Sequence, residues 1–140
     1  MQAGYGAYKS KQAETNDQGK LILVTYDVAI KHARQAMEVF DDKKQIETRI
    51  KHVFKIQDAL EELQCALNMD AGGEIAANLY NLYTFMFQCT VDANIKNDKT
   101  QLEEVLGYLE TLREAWAQAT VKAKAETSPQ MNFEKMAISG

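Results

Sequence analysis

Apolar positions fall on helical spacing through most of the chain. Ile22, Tyr26, Ala29, Ala33, Met37 and Phe40 follow three- and four-residue steps and so share one helix face. Asp17 is a suitable N-cap, which predicts a first helix from Asp17 to about Phe40. Leu21, Val24 and Val28 form a second patch, roughly opposite the first at about 100° per residue. A helix with two apolar faces buries both or keeps one for a partner. Asp41-Asp42 marks a turn, and a second helix is expected to run to about Met69. Its core face reads Ile46, Ile50, Val53, Leu60 and Leu67, with Ile56 and Leu63 beside it and Gln57 and Gln64 inside the stripe. Asp70-Ala71-Gly72-Gly73 predicts a break, because paired glycines are costly inside a helix.

A third helix is expected from Glu74 to Ile95. Ile75, Leu79, Leu82, Met86, Cys89 and Ala93 make one stripe. Ala76, Tyr80, Tyr83, Phe87 and Val91 make another, rotated by about 100°, so more than half the circumference is apolar. Asp98 followed by Gln101 resembles a capping box. The fourth helix carries Leu102, Val105, Leu106, Leu109, Leu112 and Trp116 on one face and reaches about Ala125. Residues 1–16 are polar and small and read as a loose N-terminal arm with two rings, Tyr5 and Tyr8. After Ser128-Pro129 the periodicity stops, and the tail 126–140 is compatible with a short extra C-terminal helix or with disorder. The expected fold is all-α: an antiparallel four-helix bundle over residues 17–125, flanked by arm and tail.

Composition narrows the function. The 140 residues are 46% hydrophobic and 26% charged, an ordinary globular balance that can bury one core. One proline argues against a turn-rich β fold. A net charge of −4 argues against nucleic acid as the main partner. No apolar run has signal-peptide character at the start or approaches the roughly 20 residues of a membrane span, so a cytoplasmic protein without membrane insertion is expected. Two cysteines, Cys65 and Cys89, are no disulfide framework, and neither belongs to a Cys-x-x-Cys pair.

Bundles hold di-iron sites through Glu-x-x-His pairs, yet His32 and His52 are preceded at that spacing by Ala29 and Arg49. Each histidine reads as a helix-flank residue. Phosphate loops, nucleophile elbows and dinucleotide fingerprints are absent from the sequence. Neither an enzyme, a cofactor nor a metal is expected. What stands out is apolar surface: Tyr80, Tyr83, Phe87 and Val91 on the third helix, with Leu21, Val24 and Val28 on the first. They suit a groove for an amphipathic segment of another protein, since tyrosine buries a large ring while its hydroxyl tolerates water. The plainer alternatives are a central helix with two packing faces, an oligomer interface, or an adaptor for a different amphipathic partner.

These residues also carry a resemblance. Tyr5-Gly6-Ala7-Tyr8, the run from Leu21 to Ala29 with Tyr26-Asp27, Ala76 with Leu79, Leu82 and Tyr83, the pair Ala93-Asn94, and Leu112 to Trp116 occur in the order found in the FliS family of flagellin export chaperones. The chain departs from it at Asp17-Gln18, where the family has Ser/Thr-Pro, at Lys20, where it has an acid, and at Val28, where it commonly has glycine. The resemblance implies a cytoplasmic chaperone that binds the disordered C-terminal segment of flagellin, prevents its polymerisation and keeps it competent for type III export. It also implies contact with the cytoplasmic domain of the export-gate protein, and a monomer or weak homodimer. The partner-binding residues then expected are Tyr5, Tyr8, Leu21, Val24, Val28, Tyr80, Tyr83, Phe87, Val91 and Asn94, with Tyr5 and Tyr8 docking onto apolar surface until the partner arrives.

Overall fold

The structure is a computed structural model that describes the backbone of residues 2–125 and the side chains of residues 18–121. Helix α1 runs Gln2–Glu38, α2 Ile46–Cys65, α3 Met69–Lys96 and α4 Lys99–Ala125, with a 3₁₀ turn at Lys43–Gln45 between α1 and α2. α1 packs on α2 and α4, and α3 packs on α2 and α4, so α1 and α3 lie on the diagonal. Three ion pairs between α1 or its following turn and α4 (Asp27–Arg113, Arg34–Glu110 and Asp41–Lys99) show rising numbers meeting falling ones. Those two helices are therefore antiparallel. The result is the four-helix bundle that the periodicity predicts.

The core is continuous through all four helices. α1 contributes Ile22, Tyr26, Ala29, Ile30, Ala33 and Ala36, the turn after it Phe40, α2 Val53, Ile56, Leu60 and Leu63, α3 Tyr83, Met86, Cys89 and Ala93, and α4 Leu102, Val105, Leu109 and Trp116. At the centre the hydroxyls of Tyr26 and Tyr83 lie 2.5 Å apart across the diagonal. Trp116 is buried in the same core. Burial pushes both phenol pKa values above the ordinary value, so each stays neutral and able to donate.

Four sequence expectations are corrected. Helical backbone begins at Gln2 and not at Asp17. The preceding segment holds no proline and is rich in Ala, Gln and Lys, which lose little on entering a helix. α2 ends at Cys65, where Ala66 and Leu67 turn back onto Glu62 and Gln64. Ile46, read as core, is exposed because it starts the helix, and Ile50 is half-buried, so Arg49 takes the buried place at that end. α3 begins before the glycine pair: Asn68 caps it by accepting from the Ala71 amide at 3.0 Å, and only Gly73 leaves helical geometry, with φ 53° and ψ −133°.

Chain reversals carry their own chemistry. Asp42 accepts from the Lys44 amide at 2.9 Å to open the 3₁₀ turn. Asn97 closes α3 in the left-handed region, with φ 53°, a conformation asparagine tolerates better than most residues. Asp98 then caps α4 through the Thr100 amide. Its carboxyl is held below the usual range, first by the Thr100 hydroxyl.

Candidate functional site: an open seam between α3 and α4

Helix α3 shows why the site lies where it does. Its buried residues, Ala76, Tyr83, Met86, Cys89, Thr90 and Ala93, occupy one side. On the flank toward α2, polar side chains bridge the two helices. Gln57 Nε2 donates to Thr90 Oγ1 at 3.1 Å, and Gln64 Nε2 donates to Thr84 Oγ1 at 2.8 Å and to the Tyr80 carbonyl at 3.2 Å. The two glutamines that interrupt the apolar stripe of α2 are thus spaced to tie α2 to α3. Arg49 adds a tie at the far end: it donates to the Asn94 carbonyl at 3.4 Å while its guanidinium stacks over Phe40, 4.5 Å from the ring centroid.

The flank toward α4 is different. Phe85 and Tyr108 meet edge to face across it, with centroids 6.2 Å apart, and they are 48% and 39% exposed. Leu82 on α3 and Leu112 on α4 are half-buried on the same flanks by helical phase, and Ala115 and Ala119 continue the α4 side. Alanines form a low wall. Among the described residues no surface hydrogen bond or ion pair crosses between α3 and α4 along this seam. The seam is therefore bridged by an exposed aromatic pair flanked by half-buried leucines. Its chemistry suits the apolar face of a helix or an extended apolar segment.

The residues expected to bind a partner separate into groups. Tyr83 is 1% exposed and belongs to the core, so it lines no surface; its hydroxyl is committed to Tyr26. Phe87 and Val91 are half-buried, and Phe87 packs against the core. Asn94 is half-buried, and its carbonyl serves Arg49. Tyr80 is exposed, but on the α2 flank, where Gln64 binds its carbonyl. Leu21, Val24 and Val28 are exposed on the outside of α1, as their phase predicts. The side chains of Tyr5 and Tyr8, and the tail, lie outside the described residues. Phe85 and Tyr108 were missed. The available signal was a third line, Leu82, Phe85 and Cys89, beside the two stripes, and an aromatic inside the charged surface of α4.

Polar chemistry elsewhere is sparse. The two histidines are not isolated flank residues: His32 Nδ1 and His52 Nδ1 lie 2.9 Å apart across α1 and α2. Burial first, then His52, Lys31 and Lys55, hold the pKa of His32 below its ordinary value. Cys89 is buried and Cys65 exposed, both as free thiols. Among the described residues no three metal-ligating side chains cluster, and no helix is long and apolar enough to cross a membrane.

The comparisons agree with this arrangement. The pattern that defines flagellar protein FliS matches residues 1–123. The flagellar secretion chaperone FliS of Bacillus subtilis is 34% identical over 119 residues, 85% of this chain and 87% of that protein. The protein of the same name from Campylobacter jejuni is 32% identical over 112 residues, 80% of this chain and 87% of its own length. That from Salmonella typhimurium is 42% identical over a shorter stretch of 66 residues, 47% of this chain and 49% of its own. With a helical bundle, an unstitched apolar seam and a family match over most of its length, the chain belongs to the FliS family of flagellar secretion chaperones, which is not a family of enzymes.

Proposed function

We propose that this chain acts in the cytoplasm, where it binds the C-terminal segment of flagellin, prevents its premature polymerisation and presents it to the export apparatus through the cytoplasmic domain of the export-gate protein. The observation that carries this reading is the α3–α4 seam, an exposed apolar strip with the Phe85–Tyr108 pair, in a chain of a flagellar chaperone family. A disordered segment gains most by laying an amphipathic helix in such a seam. Its ordering entropy is offset by apolar burial, and the bundle itself need not rearrange. Tyr80, Phe87 and Val91 are secondary contacts in this reading, and the outer α1 stripe extends the surface available to a long ligand. Isothermal titration calorimetry of the chain with the C-terminal segment of flagellin from its own organism tests the proposal. Saturable binding with a negative heat-capacity change and with helix gained in the peptide is expected. No heat of binding, or binding indifferent to Phe85→Ala, Tyr108→Ala and Leu82→Ala, overturns it.

A further inference from the structure

His32 of α1 and His52 of α2 meet with their Nδ1 atoms 2.9 Å apart, their ring centroids 5.2 Å apart and their planes tilted by 36°. About 1.2 Å separates an imidazole nitrogen from its own ring centre, so the two distances agree only if both centroids and both Nδ1 atoms lie nearly on one line. The lone-pair axis of each nitrogen then points at the other nitrogen. Lone pairs that held one metal ion side by side would converge on a third point and draw the ring centres closer. An in-line approach at 2.9 Å is instead the geometry of an N–H···N hydrogen bond, with one hydrogen between the two rings.

Such a contact counts protons. In the neutral pair one ring carries its hydrogen on Nδ1 and the other on Nε2, so the two are opposite tautomers. One added proton charges the pair but leaves the bond in place, because the accepting Nδ1 keeps its lone pair. A second proton sets N–H against N–H on one line, where neither nitrogen can accept and two like charges face each other. We infer that the His32–His52 pair is a proton-counting clasp between α1 and α2, closed in its neutral and singly charged states and forced open when both rings are charged.

The surroundings favour that response. Burial first, then His52, Lys31 of α1 and Lys55 of α2, hold the pKa of His32 below its ordinary value. Both lysines are exposed, and neither forms an ion pair among the described residues. Lys51, next to His52 in sequence, meets Glu47 at 3.5 Å. α4 lies on the other flank of α1, where Arg113 and Glu110 hold Asp27 and Arg34. α3 meets α2 through the neutral Gln57–Thr90 and Gln64–Thr84 bonds and through Arg49. Among the described residues no carboxylate pairs with either ring to offset a second charge. Ala29, Ala33, Val53 and Ile56 on the same two helices are core, so the opening is local and the bundle persists. The inference stands apart from the flagellin reading, and the chain alone tests it.

The chain has two histidines, so nitrogen NMR of the labelled protein reads both rings of the pair and no others. Between about pH 8 and about pH 4.5 the titration passes through all three charge states. At the upper end a scalar coupling between the two Nδ1 atoms, through the bridging hydrogen, is expected, with one hydrogen on Nδ1 and one on Nε2. The coupling should survive the first protonation and vanish with the second. Across that second step amide protection in α1 and α2 around the pair should fall by about tenfold per pH unit, because opening takes up one proton. In His52→Gln the new amide still bonds His32 but carries no charge, so a single protonation step and no such loss of protection are expected. Both rings with hydrogen on Nε2 alone, or no coupling, overturns the inference. So does full protection with both rings charged, or an equal loss of protection in His52→Gln.

Discussion

The two flanks of α4 use one helix in opposite ways. Toward α1 it is stitched: Arg113 reaches Asp27 through Nε at 2.9 Å, Glu110 meets Arg34 at 2.7 Å, and Lys99 meets Asp41 at 3.2 Å. Toward α3 its surface carries Tyr108, Leu112, Ala115 and Ala119, and the contact there is an aromatic edge on a ring. The stitched flank faces a helix whose charged residues align with it. The open flank faces a helix that is apolar on more sides than one neighbour can cover. A bundle needs only its core for stability. Surface stitching adds modest energy, and among the described residues none crosses between α3 and α4.

The largest effect should come from removing what lies beneath both flanks. Tyr83→Ala deletes a fully buried ring and the phenol bonded to Tyr26, and is expected to cost about 3–5 kcal/mol of stability. Denaturant unfolding should show it, with peptide binding lost in parallel. Phe85→Ala separates the flanks: peptide affinity should fall by about 2 kcal/mol in calorimetry, while stability shifts by no more than about 0.5 kcal/mol. A melting temperature that collapses with Phe85→Ala would place that ring in the structural column and close the comparison.

Asp27→Asn cuts one stitch between largely exposed groups. It should cost at most about 1 kcal/mol in unfolding experiments, and less as salt is raised, without changing peptide affinity. The smallest expected effect lies at the His32–His52 contact on the other side of α1. The folded protein holds His32 below its ordinary pKa, so the unfolded chain binds that proton more strongly. The contribution is complete above about pH 6.5 and is lost as pH falls through the lowered value. Melting temperature should fall from about pH 7.5 to about pH 5.5, and His52→Gln should flatten that slope in part.

The sequence displays this molecule unevenly. The α1 core line is legible because Ile22, Tyr26, Ala29, Ala33 and Phe40 leave one face wholly apolar, so only one orientation buries them. On α3 three apolar lines compete, and periodicity alone cannot say which faces inward. Tyr83 and Phe85 are both aromatic, two residues apart, and tertiary packing puts one in the core and the other on the surface. Arg49 was hidden for a different reason: its burial depends on the Phe40 ring in the turn after α1 and on a carbonyl from α3, 45 residues away. The histidine contact is hidden in the same way, since His32 and His52 meet only once α1 and α2 are paired.

Gly73 carries a consequence of another kind. An L-configured Cβ built there meets nothing within 4 Å, so it is not crowding that excludes an L side chain. What it refuses is handedness. The pair φ 53°, ψ −133° is strained for an L residue, but its mirror image lies close to the polyproline region, which makes it comfortable for a D residue. L-alanine at this site should therefore destabilise the start of α3. D-alanine, introduced by chemical ligation, should stabilise it by about 0.4–1 kcal/mol through the narrower unfolded ensemble. At the entrance to the helix that carries Phe85, the chain asks for a mirror-image amino acid and uses glycine, the one genetically encoded residue without a hand.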